Sequence, residues 1–201
     1  NFLVYFSKNL KFNFGGNMDI YFLSSNIFKI KEVKKILESS DINIISYEKK
    51  ISEIQSDNIE EIVIDKVIKG FKEIGRPIIV EQTGIFVDNF GKLPGGLTQV
   101  FWDSLQAEKF SEYFSSGDAS ATAKTVIAFC DGKKLFTYEG EISGKIVSPP
   151  RGKRDFQWDC VFQPSGYDMT FAEMGEKKDE ISMRKIALDK LKEDLERNNH
   201  G

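Results

Sequence analysis

The sequence predicts an α/β fold, a mixed sheet with flanking helices and a β-rich part. Three observations predict it: apolar residues recur at helical spacing early on, β-prone runs crowd the middle, and a charged helical pattern closes the chain. With 201 residues, 40% hydrophobic and 29% charged, there is room for one sizeable domain or two small lobes around a cleft.

Residues 1 to 17 differ in composition from the rest of the chain. Phe2, Tyr5, Phe6, Phe12 and Phe14 lie among asparagines and lysines, and the segment ends in Gly15-Gly16. It reads as an extra leading strand or as an aromatic arm that docks elsewhere. It has no charged leader, continuous apolar stretch or cleavage site, so no secretory signal is expected. Residues 18 to 198 read as one domain. DIYFLSS is a buried-strand run, succeeded by a helix with Ile30, Val33, Ile36 and Leu37 on one face. A second helix spans Ile59 to Ile74, striped by Ile59, Ile62, Val63, Val67 and Phe71 and ended by Gly75 and Pro77. IIVE at 78–81 is a strand ending in Glu81-Gln82-Thr83, with GIFVD as its continuation. LPGG at 93–96 is a turn, and Phe101 to Phe114 is helical. ATAKTVIAFC and KLFTYEGEI flank Asp131-Gly132, a hairpin signal. A loop with Pro149, Pro150 and Gly152 precedes WDCVF, and a charged helix starts near Asp179.

Composition removes several functions. The net charge of −3 supplies no polycation for duplex DNA, and no apolar run approaches the ~20 residues of a membrane helix. Two cysteines, Cys130 and Cys160, build no disulfide framework and fit a reducing cytoplasm. The single histidine, His200, stands next to the C-terminal residue. Histidine-based triads and zinc sites of Cys and His are thereby excluded. Chemistry must run on carboxylates, Lys, Arg, hydroxyls and a hard metal.

Ser24-Ser25-Asn26 joins a strand end to a helix start, where free backbone N–H groups and the helix dipole suit a phosphate. Lys29 would add a cation. Ser and Asn are equally the usual helix caps. Glu53, Asp57, Glu60, Glu61 and Asp65 crowd the start of the second helix, as a solvated face or as ligands holding Mg²⁺ against a polyphosphate. Lys66 is a phosphate contact or a surface lysine. Glu81-Gln82-Thr83 at a strand end faces a cleft in many α/β sheets. FQWDCVFQPSGYDMTFAEM (156–174) is dense in aromatics. Most are core, but a flat ring beside Asp159, with Arg184 supplied from elsewhere, makes a base pocket.

Taken in order, these runs resemble the inosine triphosphate pyrophosphatase family, the Ham-type house-cleaning enzymes, from Met18 to about Leu195. Ser-Ser-Asn-Ile-Phe-Lys (24–29) is similar to its Thr-Gly-Asn-x-x-Lys phosphate loop, and Val80-Glu81-Gln82-Thr83 to its strand-end acidic motif. LPGG is similar to its Leu-Pro-Gly-Pro turn, and SGKIVSPPRG (143–152) to its Ser-Gly-Arg-Ile-Val stretch. FQWDCVFQPSGYDMTFAEM is similar to Phe-Gly-Trp-Asp-Pro-x-Phe-x-Pro-x-Gly-Tyr-x-x-Thr-Tyr-Ala-Glu-Met. Lys178 and Ser182-Met183-Arg184 match a lysine and a Ser-His-Arg run.

The resemblance implies two lobes around a nucleotide-binding cleft, usually a dimer, and Mg²⁺-dependent cleavage of ITP, dITP and XTP to monophosphate and pyrophosphate. It implies that Ser24, Ser25, Asn26, Lys29, Lys66 and Lys178 hold the triphosphate, and that Glu53 and Glu81 hold metal. Phe156 would stack on the base, with Trp158, Asp159, Ser182, Met183 and Arg184 shaping or bonding its edge. Where the family has Glu-Asp, this chain has Glu81-Gln82, and an amide neither takes a proton nor neutralises Mg²⁺. Met183 stands for the histidine, and Ser25, Gln157, Cys160 and Gly96 replace Gly, Gly, Pro and Pro. The cradle is kept while the hydrolytic centre is not. Degenerate members of this kind resemble the dITP-sensing subunit of Kongming-type bacterial antiviral operons, which implies a sirtuin-like NADase partner. The alternative is an active pyrophosphatase in which Glu81 compensates.

Overall fold

The computed structural model describes residues 4–6, 18–39 and 41–199. Phe2, Phe12, Phe14, Gly15-Gly16 and His200 lie outside the described residues. One mixed sheet runs β1 (Val4–Phe6), β7 (Leu135–Ile146), β6 (Ser120–Cys130), β4 (Ile78–Val87), β2 (Met18–Leu23) and β3 (Ile42–Tyr47). Short β5 (Pro94–Gly95) pairs with β4, and β8 (Phe162–Pro164) with β7. The β2–β3 and β2–β4 pairs are parallel, whereas β4, β6 and β7 pair antiparallel.

The parallel half is connected by helices. In α1 (Ile27–Leu37), Ile30, Val33 and Leu37 are buried, as the 3–4 spacing requires. In α2 (Ile59–Ile74), Ile59, Ile62, Val63 and Val67 are buried, each such side chain contributing about 1.5–3 kcal/mol. The Asn58 side chain accepts from the Glu60 N–H at its start. Gly75 ends it at φ 65°, a left-handed conformation that a side chain would resist. β3 is an element that local periodicity does not announce. It is a six-residue edge strand in which buried Ile42 and Ile44 alternate with exposed Asn43 and the alternation then fades, Ile45 and Tyr47 being half-buried. In the antiparallel half, the Asp131 carboxylate accepts from the Lys133 and Lys134 N–H groups and closes the hairpin turn between β6 and β7.

Three further helices differ in detail from expectation. α3 (Thr98–Phe114) begins earlier than Phe101 and breaks at Gln106, where φ is 56° and ψ −179°. After α4 (Phe171–Met174), the charged helix expected from Asp179 is two helices, α5 (Lys178–Ile181) and α6 (Met183–Asn199). Ser182 separates them in an extended conformation, and its hydroxyl accepts from the Lys185 N–H as a cap.

Strand alternation then decides what faces what. Ile79, Glu81, Thr83, Ile85 and Val87 of β4 share one face, and Ile78, Val80, Gln82 and Phe86 the other. On the first face are two apolar clusters. One joins Ile79 to Val33 of α1 and Leu188 of α6, and the other joins Ile85 to Trp102 of α3, Trp158 and Phe162. Glu81, Thr83 and buried Thr125 occupy the seam between them, with the two threonine hydroxyls 2.8 Å apart. The opposite face packs under α2 through Val80, Val126 and Val67. Among the described residues, no helix is long and apolar enough to cross a membrane.

Candidate active site

The turn after β2 is spent on capping α1. Asn26 Oδ1 accepts from the N–H groups of Phe28 and Lys29, at 3.0 and 3.2 Å, and Ser24 Oγ accepts from the Asn26 N–H. Ser25 is exposed. Capping and anion binding use the same feature, an N-terminus whose dipole favours negative charge.

Lys29 reaches from this first turn to Glu81, with Nζ 2.6 Å from Oε1. Arg184, in the first turn of α6, grips the same carboxylate through Nε at 2.8 Å and a second nitrogen at 3.3 Å. Its remaining nitrogen donates to Glu32 of α1 at 2.8 Å. The Glu81 and Arg184 side chains are each 2% exposed. Burial alone would raise the Glu81 carboxyl, but the Arg184 and Lys29 cations overcome it and hold the group at about 2. Burial lowers Lys29 in spite of its carboxylate partner. Arg184 is raised, because Glu81 and Glu32 outweigh the burial that would lower it. This network draws together residues from α1, β4 and α6, whose positions 29, 81 and 184 share no local pattern.

A second group lies beside it. Phe28, Glu32, Phe156, Asp159, Lys178 and Arg184 line a cavity of about 480 Å³. Phe156 is half-buried, with Lys178 Nζ 4.2 Å from its ring centroid. Lys178 also bonds Asp159 Oδ2 at 2.5 Å. Lys178 thus stands at the aromatic end of the cleft, not with Lys29, because its ammonium compensates buried Asp159. Asp159 is raised by burial against the lowering effect of Lys178, and its Oδ1 is buried with no hydrogen-bond partner. A buried acceptor left open costs about 1–3 kcal/mol, which an N–H donor from a ligand would recover. Arg184 has spent three of its N–H groups, and its fork holds two more.

Not every expected residue lines the cavity. Trp158 and Met183 are 3% and 1% exposed and sit in the apolar cluster behind it. Ser182 is buried, capping α6 and approaching Glu32 at 3.4 Å. Gln157 adopts φ 40°, the left-handed region natural to the glycine that the resemblance puts there, and its amide donates to Gln99. Glu32 is a participant that sequence reasoning missed. It lies one turn beyond Phe28 on the cavity side of α1, at the spacing that would have flagged it.

Glu53 and Lys66 form their own pair at 2.5 Å. Gln82 is half-buried on the sheet face covered by α2, the helix that carries Lys66, whereas Glu81 faces α1 and α6. The two pairs are neighbours, since the Lys66 charge that faces Glu53 also acts on Lys29, the partner of Glu81. Among the described residues, no group of three or more His, Cys, Asp or Glu side chains is placed to hold a metal. What remains, the Glu53 carboxylate and the Gln82 amide oxygen, are hard oxygen donors. Each is of a type that suits a Mg²⁺ carried in by phosphate oxygens, an ion that takes one or two protein carboxylates and keeps its waters.

The chain is similar to known proteins over most of its length. The Ham1 family model matches residues 20–194. An inosine triphosphate pyrophosphatase of Yarrowia lipolytica is 37% identical over 179 residues, covering 87% of this chain and 94% of that protein. A dITP/XTP pyrophosphatase of Methanopyrus kandleri is 34% identical over 180 residues, covering 88% and 95%. The structure of a HAM1 protein from Coxiella burnetii superposes with a TM-score of 0.81 at 25% identity, covering 90% of this chain and 99% of that one. The Staphylococcus aureus Ham1 protein gives 0.77 at 25% identity, with 90% and 100% covered.

Proposed function

The chain belongs to the Ham1 family, and from that membership we propose that it binds a 6-oxo purine nucleoside triphosphate, dITP or ITP, and cleaves it poorly. The observation that carries the binding half is the donor–acceptor pattern beside Phe156. Asp159 Oδ1 is an acceptor without a partner, and Arg184, which lines the same cavity, keeps two N–H groups beyond its three bonds. Hypoxanthine offers N1–H to the first and O6 to the second. Adenine offers an acceptor and an amino group instead, so both contacts are mispaired, each at about 1–3 kcal/mol. Phe156 stacks on the base, and Trp158 and Met183 support the loop and helix that carry its partners. Lys178 borders the base from the Asp159 side. Ser24, Ser25, Asn26, Lys29 and Lys66 receive the triphosphate, whose charge draws Lys29 from Glu81 and Lys66 from Glu53.

Glu53 would hold Mg²⁺ together with phosphate oxygens, and the ion would offset phosphate charge when bound. The impaired half rests on β4. Gln82 cannot take a proton from water, and Glu81, one residue away, points to the opposite face of the sheet. Arg184 holds it there besides. Loss of a general base costs typically ~10²–10⁴ in rate. A protein that holds its ligand without consuming it reports the ligand's concentration. We assign it to dITP sensing in antiviral defence, with a sirtuin-like NADase as the output, which co-purification from the native source would show.

A second reading, a working Mg²⁺-dependent pyrophosphatase producing monophosphate and pyrophosphate, is favoured by the names of the relatives. Gln82→Asp separates the two. It should raise pyrophosphate release from dITP by ~10-fold or more, a fraction of the general-base range, while dITP affinity stays close to that of the unmodified protein. An unmodified protein that already releases pyrophosphate at ~10 s⁻¹, a typical enzyme rate, establishes the second reading.

A further inference from the structure

Phe28 is an aromatic side chain with no core to fill. It lies in the first turn of α1 and is 57% exposed. Its ring centroid is 6.0 Å from that of Phe156, with the planes at 85°. Phe28, Lys31, Glu32 and Lys35, spaced three, four and seven residues apart, form the face of α1 that lines the cavity. Its own N–H is tied to Asn26 Oδ1, and the next residue, Lys29, points to Glu81. Phe28 thus stands where the helix N-terminus, which suits phosphates, gives way to the ring that suits a base. A nucleotide spanning both must carry its sugar past this phenyl ring.

We propose that Phe28 is a sugar-reading residue that selects 2′-deoxynucleotides over ribonucleotides. The inference rests on the nucleotide-binding reading of this cleft and extends it to the sugar. Against an apolar wall, the C2′ methylene of a deoxyribose loses nothing by leaving water. A 2′-hydroxyl turned to the ring gives up hydration on that side, and the carboxylate on the same helix face, Glu32, is already held by Arg184 and Ser182. An unpaired hydroxyl is worth a loss of about 5-fold or more in affinity.

The test is equilibrium binding of dITP, ITP and dATP, each with Mg²⁺, to the full chain and to its Phe28→Ala and Phe28→Asn variants. Because the side chain is more than half exposed, both variants should fold, which their thermal transitions check. The unmodified protein should bind dITP about 5-fold or more tightly than ITP. Phe28→Ala should bring the two together, chiefly by improving ITP, and Phe28→Asn, which offers the hydroxyl a partner, should do so at least as far. Preference for dITP over dATP should persist in both. Equal binding of dITP and ITP by the unmodified protein would overturn the proposal. So would a preference that survives Phe28→Ala, or an equal weakening of all three nucleotides, the mark of a ring that stacks on the base. Failure of every nucleotide to bind any of the proteins would instead remove the functional reading itself, and this inference with it.

Discussion

Glu81→Gln is the substitution with the most sharply defined consequence. The amide keeps the size of the side chain and removes the charge that faces Lys29 at 2.6 Å and Arg184 at 2.8 Å. A carboxyl held at about 2, not at its ordinary 4.5, supplies about 3 kcal/mol of folded-state stability at neutral pH. Removing one partner of a buried pair independently costs about 3–5 kcal/mol, and Glu32 stays on Arg184 to hold the value at the low end. For a chain of this length, that is a fall of about 6–12 °C in Tm at pH 7. The depressed value also sets the sign with pH. The contribution is complete above the ordinary carboxyl range and disappears as pH falls from about 4.5 towards about 2. Urea unfolding across that window should therefore show the unmodified protein losing stability to acid more steeply than the variant, the two converging near pH 2. Excess dITP with Mg²⁺ should stabilise the variant more than the parent, because Lys29 no longer faces a carboxylate that competes with the phosphates. A variant within about 2 °C of the parent at pH 7, a shift smaller than even 1 kcal/mol would give, would refute the claim that this network anchors the cleft.

Arg184→Ala should erase the difference between dITP and dATP in ligand-induced thermal shift, since the only donor assigned to O6 is gone; a difference that persists places base reading elsewhere. Gly140→Ala should destabilise the fold by about 1–3 kcal/mol, read as a drop in Tm of about 3–10 °C. A methyl at that point of β7 would meet the Met183 carbonyl at 2.0 Å and the Ala187 nitrogen at 2.9 Å, forcing out the turn of α6 that carries Arg184. The same variant should bind dITP more weakly, measured by isothermal titration.

How far the sequence announces this molecule depends on the range of each interaction. α2 arises from its apolar stripe, its Asn58 cap and its left-handed Gly75, all local signals that coincide. The β6–β7 hairpin arises from one Asp-Gly turn between two β-prone runs. β3 is short, half exposed and supported by tertiary pairing with β2, so local periodicity states it weakly. Ser182 is of a residue type that caps helices, but the charged residues on both sides of it read as one continuous helix and hide the break. At the site, the motifs supply Lys29, Glu81, Asp159 and Arg184 from four separate stretches of chain, and the fold joins Lys29 and Arg184 on Glu81 and sets Arg184 and Asp159 in one cavity. The motifs do not tell that Glu81 is held between two cations, or that Glu32 completes the chain of charges. Those are contacts across 103 and 152 residues, set by how α1 and α6 pack on one sheet face. Nor does a dipeptide disclose that Glu81 and Gln82 serve opposite faces until the strand that contains both is seen in its register with β6.

Retention of the nucleotide and its turnover are both measured in one sample. The protein is incubated with stoichiometric dITP and Mg²⁺, then separated from free nucleotide, and bound dITP and released pyrophosphate are quantified in the same aliquots over time. Intact dITP that stays bound through hours with little pyrophosphate is the predicted result. Rapid, complete conversion to dIMP and pyrophosphate would contradict it and would show that the chain hydrolyses its nucleotide in spite of Gln82.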